Sequence, residues 1–423
     1  MYKIKHSFKR FSIILIISCF TILSLKLHST QSTNDFQKIQ HEATAINIEV
    51  PVRVFKGDLF VDTLTIDDFE LYENGKLQDI EAVYLIKKTD IERKEENKKF
   101  APKTGRQFYL FFEISYFDPR IEKAIEYFIG SVLTPMDECA IVTPLKTYTL
   151  KSTSLVNLSK AKIAEDLKTI IRKDAWMGSS EYRSALFDVK DMVRGLSNSQ
   201  LDVNVQGIHQ PLGRFSSQAL PVNQNLTNYE AVLNKLESMR RVDQKKLLDF
   251  ADYLKQKDGQ KYVYLFYQSE YIPTIDLATL HKILATQNDP SIEIMATSLF
   301  GFYRRDVTVD VELVKRAYAD SSIAIHFLFF SKLPEHTPGI VMEEHSEDIF
   351  NVFNDMAVAT GGLTMSSVNP EYLFKSAFNA SDNYYLIYYT PKDYKADFKF
   401  KNIKVKVKTG NYRVTHRIGY FAN

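Results

Sequence analysis

The chain has 423 residues, 45% of them apolar and 25% charged, with 15 Gly and 13 Pro. That is long enough for two or three domains around a large core, and too apolar and ordered in composition for a disordered or collagen-like protein. The formal net charge is +2, and no basic surface excess of the kind a nucleic-acid partner requires is present. With 29 Phe and 24 Tyr, the composition points to a strand-rich protein.

Residues 1–30 read as an export segment. "MYKIKHSFKR" is basic and free of acids, "FSIILIISCFTILSL" is an unbroken apolar run, and "HSTQST" is polar. This order is that of a secretory signal, and the run is shorter than the ~20 apolar residues of a stable membrane span. Three fates stay open: a cleaved signal peptide, an uncleaved N-terminal anchor, or a lipoprotein modified at Cys19, which sits in the lipobox-like Ile16-Ile17-Ser18-Cys19. The expected location is exported: periplasmic, outer-membrane-associated or extracellular, with membrane contact only through this segment. Its removal takes five cations (Lys3, Lys5, Lys9, Arg10, Lys26) and leaves a net charge of −3. The remaining cysteine, Cys139, lies in the apolar "CAIVTPL" and reads as core.

Residues 45–88 are predicted to form a β module. Ile46, Ile48, Val50, Val52 and Val54 alternate strictly, as in a strand with one buried face. Asn74-Gly75 is a hairpin signal, because both residues tolerate positive φ. Residues 89–105 are charge-dense and read as a solvated linker.

From 106 the pattern changes. "QFYLFFEI", "CAIVTPL", "KYVYLFY", "SIEIMAT" and "IAIHFLFF" are apolar on both faces, as buried parallel strands are. Helical spacing separates them, beginning with Ile121, Ala124, Ile125, Phe128 and Ile129 behind Pro119. Residues 198–226 are rich in Gln, Asn and Ser and read as a surface excursion. Trp176, the only tryptophan, falls in "DAWMGSSEY", read as a loop. After "MAVATGGLTMSS", where Gly361 and Gly362 suit a helix stop, a period of two returns. Ile403, Val405 and Val407 alternate with Lys404, Lys406 and Lys408. The predicted division is an α/β domain over 106–380 and a second β module over 381–423. The fold class is α/β, with a doubly wound, mainly parallel central sheet and flanking antiparallel β modules. Those modules either pair into one sandwich or stand as separate extensions.

This order, together with "TIDDFELYENGKLQDI", "AVATGGLTMSS", "YYLIYYTP" and "FKNIKVKVKTGNYRVTHRIGYF", resembles the bacterial VWFA-related proteins, built around a von Willebrand factor type A (VWA, Rossmann-like) domain. The resemblance spans roughly Ile46 to Tyr420. It implies a metal-ion-dependent adhesion site at the carboxyl ends of the parallel strands, made of Asp-x-Ser-x-Ser, a Thr and a further Asp, whose hard oxygens suit Mg²⁺. Carried over residue by residue, that site is degenerate. Glu113 stands for the first Asp, Ser115 for the first Ser, Phe117 replaces the second Ser, Ser184 stands for the Thr, and Gln268 stands for the last Asp, with Glu270 nearby. No cofactor is expected, weak Mg²⁺ binding being the most that such a ligand set supports. Asp118, Trp176 and Glu270 are candidate partner contacts.

No phosphate-binding glycine loop, GxSxG elbow or metal-ligand spacing of the HExxH kind occurs, so no enzyme is expected. The expectation is an exported protein-binding protein in adhesion or envelope-associated interaction, its partner a protein of unidentified kind. The alternative is an architectural envelope protein whose α/β domain is a packing unit with a silent sheet top.

Overall fold

The structure is a computed structural model that describes residues 46–198, 220–301, 309–321, 323–337 and 340–422. The export segment with Cys19 and most of the polar excursion lie outside the described residues.

The apolar runs form one six-stranded sheet in the order Thr364–Ser367, Ile323–Phe330, Gln260–Gln268, Arg106–Glu113, Glu138–Val142, Thr147–Leu150. The first five strands are parallel, and the last is an antiparallel edge. Side chains alternate across it. Phe108, Leu110 and Phe112 share a core with Ile121, Ile163 and Phe374. Tyr109 and its odd-numbered neighbours face Leu254, Val314 and Met356 on the other side.

The chain's ends interleave. Ile48–Lys56 lies between Asn383–Tyr389 and Arg413–His416, and Ile80–Lys87 and Asp90–Glu96 extend the same sheet. A four-stranded sheet pairs Phe400–Val407 with Phe69–Glu73, flanked by Gly419–Phe421 and Lys76–Gln78. Both bury one core of Val50, Val52, Leu71, Tyr385, Ile387 and Val405. At its centre the hydroxyls of Tyr389 and Tyr420 donate to one oxygen of Glu73, at 2.7 and 3.0 Å.

The expected class is therefore corrected. Ten of the fourteen strand ladders among the described residues are antiparallel and four are parallel. All four parallel ladders sit in the one sheet, which is itself mixed, so the molecule is a mixed α and β fold and not a mainly parallel, doubly wound VWA or Rossmann-like one. The physical reason is that strands from both chain ends return to pair antiparallel, and Thr147–Leu150 folds back on Glu138–Val142 as a hairpin.

Three local readings also change. "SIEIMAT" is helical, within Pro290–Gly301, because Asp289 accepts from Ser291 N at 2.9 Å and Pro290 opens the first turn. The presumed linker contains the strand Asp90–Glu96, paired to Ile80–Lys87 through backbone bonds, with Arg93 donating to Asp62 O at 3.1 Å and Glu95 accepting from Ile66 N at 2.8 Å. Trp176 lies on the helix Lys160–Gly178, not in a loop.

The Asn74-Gly75 turn has φ of 47° and 80°, the doubly left-handed geometry that joins Phe69–Glu73 to Lys76–Gln78. After the helix Glu347–Ala359, Gly361 takes φ of 72°. Gly362 then passes so close to the Ile323–Phe330 strand that an added Cβ would lie 1.8 Å from the Ile325 carbonyl oxygen.

The amino end of the first central strand is pinned by a buried ion pair. Arg106 donates to both oxygens of Asp137, at 3.0 and 2.7 Å, to Val132 O at 2.9 Å and to Asp382 at 3.1 Å.

Candidate functional site

The carboxyl ends of the parallel strands hold most of the residues singled out from the sequence, in two separate groups. In the first, the Gln268 amide locks the loop that follows Arg106–Glu113. Its Oε1 accepts from Ser115 Oγ at 3.2 Å and from Tyr116 N at 3.1 Å, and its Nε2 donates to Tyr116 O at 3.4 Å. Arg183, from the helix Ser180–Asn198, donates to Ser115 O at 3.2 Å and to the Trp176 carbonyl. Ser179 Oγ donates to Ile114 O at 3.3 Å. Ser184 is exposed next to Arg183. The oxygens gathered at Ser115 are thus neutral and accompanied by a guanidinium. Such a set fits a hydrogen-bonded loop and not Mg²⁺, which requires charged, near-octahedral oxygen ligands. Among the described residues, no three His, Cys, Asp or Glu side chains converge as a metal set.

Around this lock the surface is aromatic. The Trp176 ring is 63% exposed and lies on the Arg183 guanidinium, 3.9 Å from its centroid. Tyr116 is half exposed, with the Lys332 ammonium 5.5 Å from its ring. Met177 is exposed beside Trp176, and Phe187 is exposed one helical turn beyond Arg183. Asp118 turns back on its own loop. It accepts from Arg120 N at 2.8 Å and from the Arg120 guanidinium at 3.0 and 2.7 Å, and that hydrogen bonding holds its carboxyl below the usual range.

The second group lies on the opposite face of the sheet. Glu113, following Tyr109 and Phe111 in alternation, faces Arg240, the last residue of the helix Val222–Arg240. A cation there is favoured by the helix dipole. Arg240 Nε lies 3.6 Å from Glu270, whose side chain is fully buried, and Nη2 donates to Gln268 O at 3.4 Å. The guanidinium sits over two rings, 4.6 Å from Tyr267 and 5.2 Å from Tyr182. Burial raises the Glu113 carboxyl above its ordinary value, and Arg240 opposes that shift. Glu113 and Glu270 therefore belong to an arginine-centred cluster, not to the Ser115 and Gln268 group. Arg240 and Arg183 were not visible as site residues in the sequence. Both are single cations on helices, with no spacing to distinguish them from surface arginines.

A serine–histidine contact exists deeper in the molecule, with Ser381 Oγ 2.9 Å from His326 Nε2. It does not form a nucleophile–base pair open to substrate. Both residues are buried, the His326 ring stacks on Tyr264 at 4.9 Å, Ser381 also donates to Ala377 O, and burial depresses the imidazole to about 3.

No protein-family model matches the chain, and no curated protein matches it. Among solved structures, the human COPII-coat protein Sec24c is similar at a TM-score of 0.27 and 7% identity, over 76% of this chain and 44% of that one. The chain thus spans less than half the length of Sec24c, and a likeness of this degree assigns neither fold nor function.

Proposed function

We propose that this chain is an exported protein-binding protein, acting in adhesion or in envelope-associated assembly without catalysis, and that its contact surface is the aromatic patch at the carboxyl ends of the parallel strands. The observation that carries this reading is Trp176: a largely exposed indole held on a guanidinium whose other donors are fixed to Ser115 O and the Trp176 carbonyl. Trp, Tyr and Arg supply most binding energy at protein interfaces. A ring already fixed in place loses little conformational freedom when a partner covers it. The neutral Gln268 lock supports a contact made at this surface without a bridging cation.

A photo-crosslinking residue at position 176, in cells that make the protein, tests this reading against the same residue at Lys404, which is exposed on Phe400–Val407. A discrete adduct from position 176 but not from 404 is expected, in the exported fraction. The architectural alternative draws on Gln268 filling the strand end. It predicts adducts from 404 and none from 176, and that result would overturn the proposal.

A further inference from the structure

Beneath the Glu113 side of the sheet a cavity of about 330 Å³ opens against the helix Gln244–Lys255. Its walls are mainly apolar, with Phe111, Leu265, Leu247, Phe250 and Met356 among them, and its carboxyl end is formed by Glu113 and Arg240. This volume and this lining, apolar with a few convergent polar groups, are those of small-molecule sites at the lower end of their size range.

The charges decide what it would hold. In the interior, Arg240 is shared between Glu113, which lines the cavity, and Glu270, which lies outside the lining. At the mouth, Asp243 and Lys246 pair at 3.7 Å beside Arg241. Arg240 is engaged by Glu270, by Gln268 O and by the faces of Tyr182 and Tyr267. Glu113 accepts no hydrogen bond from the described residues and lines the cavity together with Phe111, two residues before it, and Tyr267, its register partner on the neighbouring strand. A half-buried carboxylate without a donor, next to aromatic faces, favours a cation over an anion.

We propose that this cavity binds a small amphipathic amine, its apolar body against Phe111, Leu265 and Phe250 and its protonated nitrogen donating to the Glu113 carboxylate. This site is independent of the Trp176 surface. Because burial raises the Glu113 carboxyl, binding strengthens as pH rises and that group ionises.

The test is calorimetric titration of the full-length chain at pH 8 with hexylamine, hexanol and hexanoate. Hexylamine is expected to bind one to one and about tenfold or more tighter than either analogue, the advantage of a charge-assisted bond. Glu113→Gln should remove that advantage and leave hexanol unchanged. Leu247→Trp, which adds bulk to the apolar wall and changes no charged residue, should abolish binding of all three while the circular dichroism stays native. Hexanoate binding as tightly as hexylamine would overturn the proposal. So would hexylamine affinity undiminished in Glu113→Gln or in Leu247→Trp, or no binding of any probe.

Discussion

Arg106→Met should be among the most damaging single substitutions in the molecule. The guanidinium is 1% exposed and makes two bonds to Asp137, one to Val132 O and one to Asp382, all between 2.7 and 3.1 Å. Removing one partner of a buried ion pair costs about 3–5 kcal/mol, mostly because the other charge stays buried without compensation. Asp137 keeps bonds from Thr134 N and Thr134 Oγ1, at 2.7 and 2.9 Å, which places the expected loss near the lower end, about 3 kcal/mol. With an unfolding entropy of about 0.8 kcal/mol/K for a unit of this size, the melting temperature should fall by about 4 °C. Urea unfolding gives the free energy directly, provided that the slope is unchanged. The decisive comparison is the double variant Arg106→Met/Asp137→Asn. Because the asparagine removes the fully buried charge and leaves only the partly exposed Asp382 carboxylate, it should recover about 1 kcal/mol or more relative to the additive sum. A single-variant loss under ~1 kcal/mol, or strict additivity, would refute the reasoning.

Gly362→Ala should cost about 3 kcal/mol or more, because its Cβ meets backbone and not a movable side chain at Ile325; near-native urea stability would show that the strand yields there. Glu113→Gln should be more stable than the parent at pH 7–8, with the difference vanishing below the ordinary carboxylate range. The folded-state value is raised, so the stability that the protonated acid contributes at low pH is lost as pH climbs through that raised value. Unfolding curves from pH 4 to 8 check this, and a gap that widens on acidification would contradict it. Millimolar Mg²⁺ should leave the melting temperature unchanged, since the Ser115 oxygens are neutral and bonded to Gln268. A rise removed by Ser115→Ala would contradict that expectation.

The candidate site was half legible in the sequence. Glu113, Ser115 and Gln268 could be placed at strand ends because those strands are unbroken apolar runs, and run length marks where the strand stops. Which face each residue takes depends on the strand's alternation relative to the helices packed on it. That alternation sends Glu113 to Arg240 and leaves Gln268 to close the Ser115 loop. The two arginines that organise both groups come from helices whose arrival at the sheet is set by long-range packing.

Local chemistry alone determined the Asn74-Gly75 hairpin, the buried strands Arg106–Glu113, Gln260–Gln268 and Ile323–Phe330, and the helix stop at Gly361. Each rests on backbone sterics or on burial along a few consecutive residues. "SIEIMAT" failed that test because its apolar residues satisfy period two as well as a helix that buries Ile292, Ala296 and Leu299. The Asp289 cap and the packing of that face on neighbouring helices decide between the two. The edge strand Asp90–Glu96 was equally hidden, since it is held by backbone pairing to Ile80–Lys87 and by long-range hydrogen bonds of Arg93, Glu95 and Glu96, and its side chains show no apolar alternation. The balance of parallel and antiparallel pairing was likewise beyond the sequence. It follows from where Asn383–Tyr389 returns to lie against Ile48–Lys56, more than three hundred residues away in the chain, a choice that only the shared core of the two ends can make.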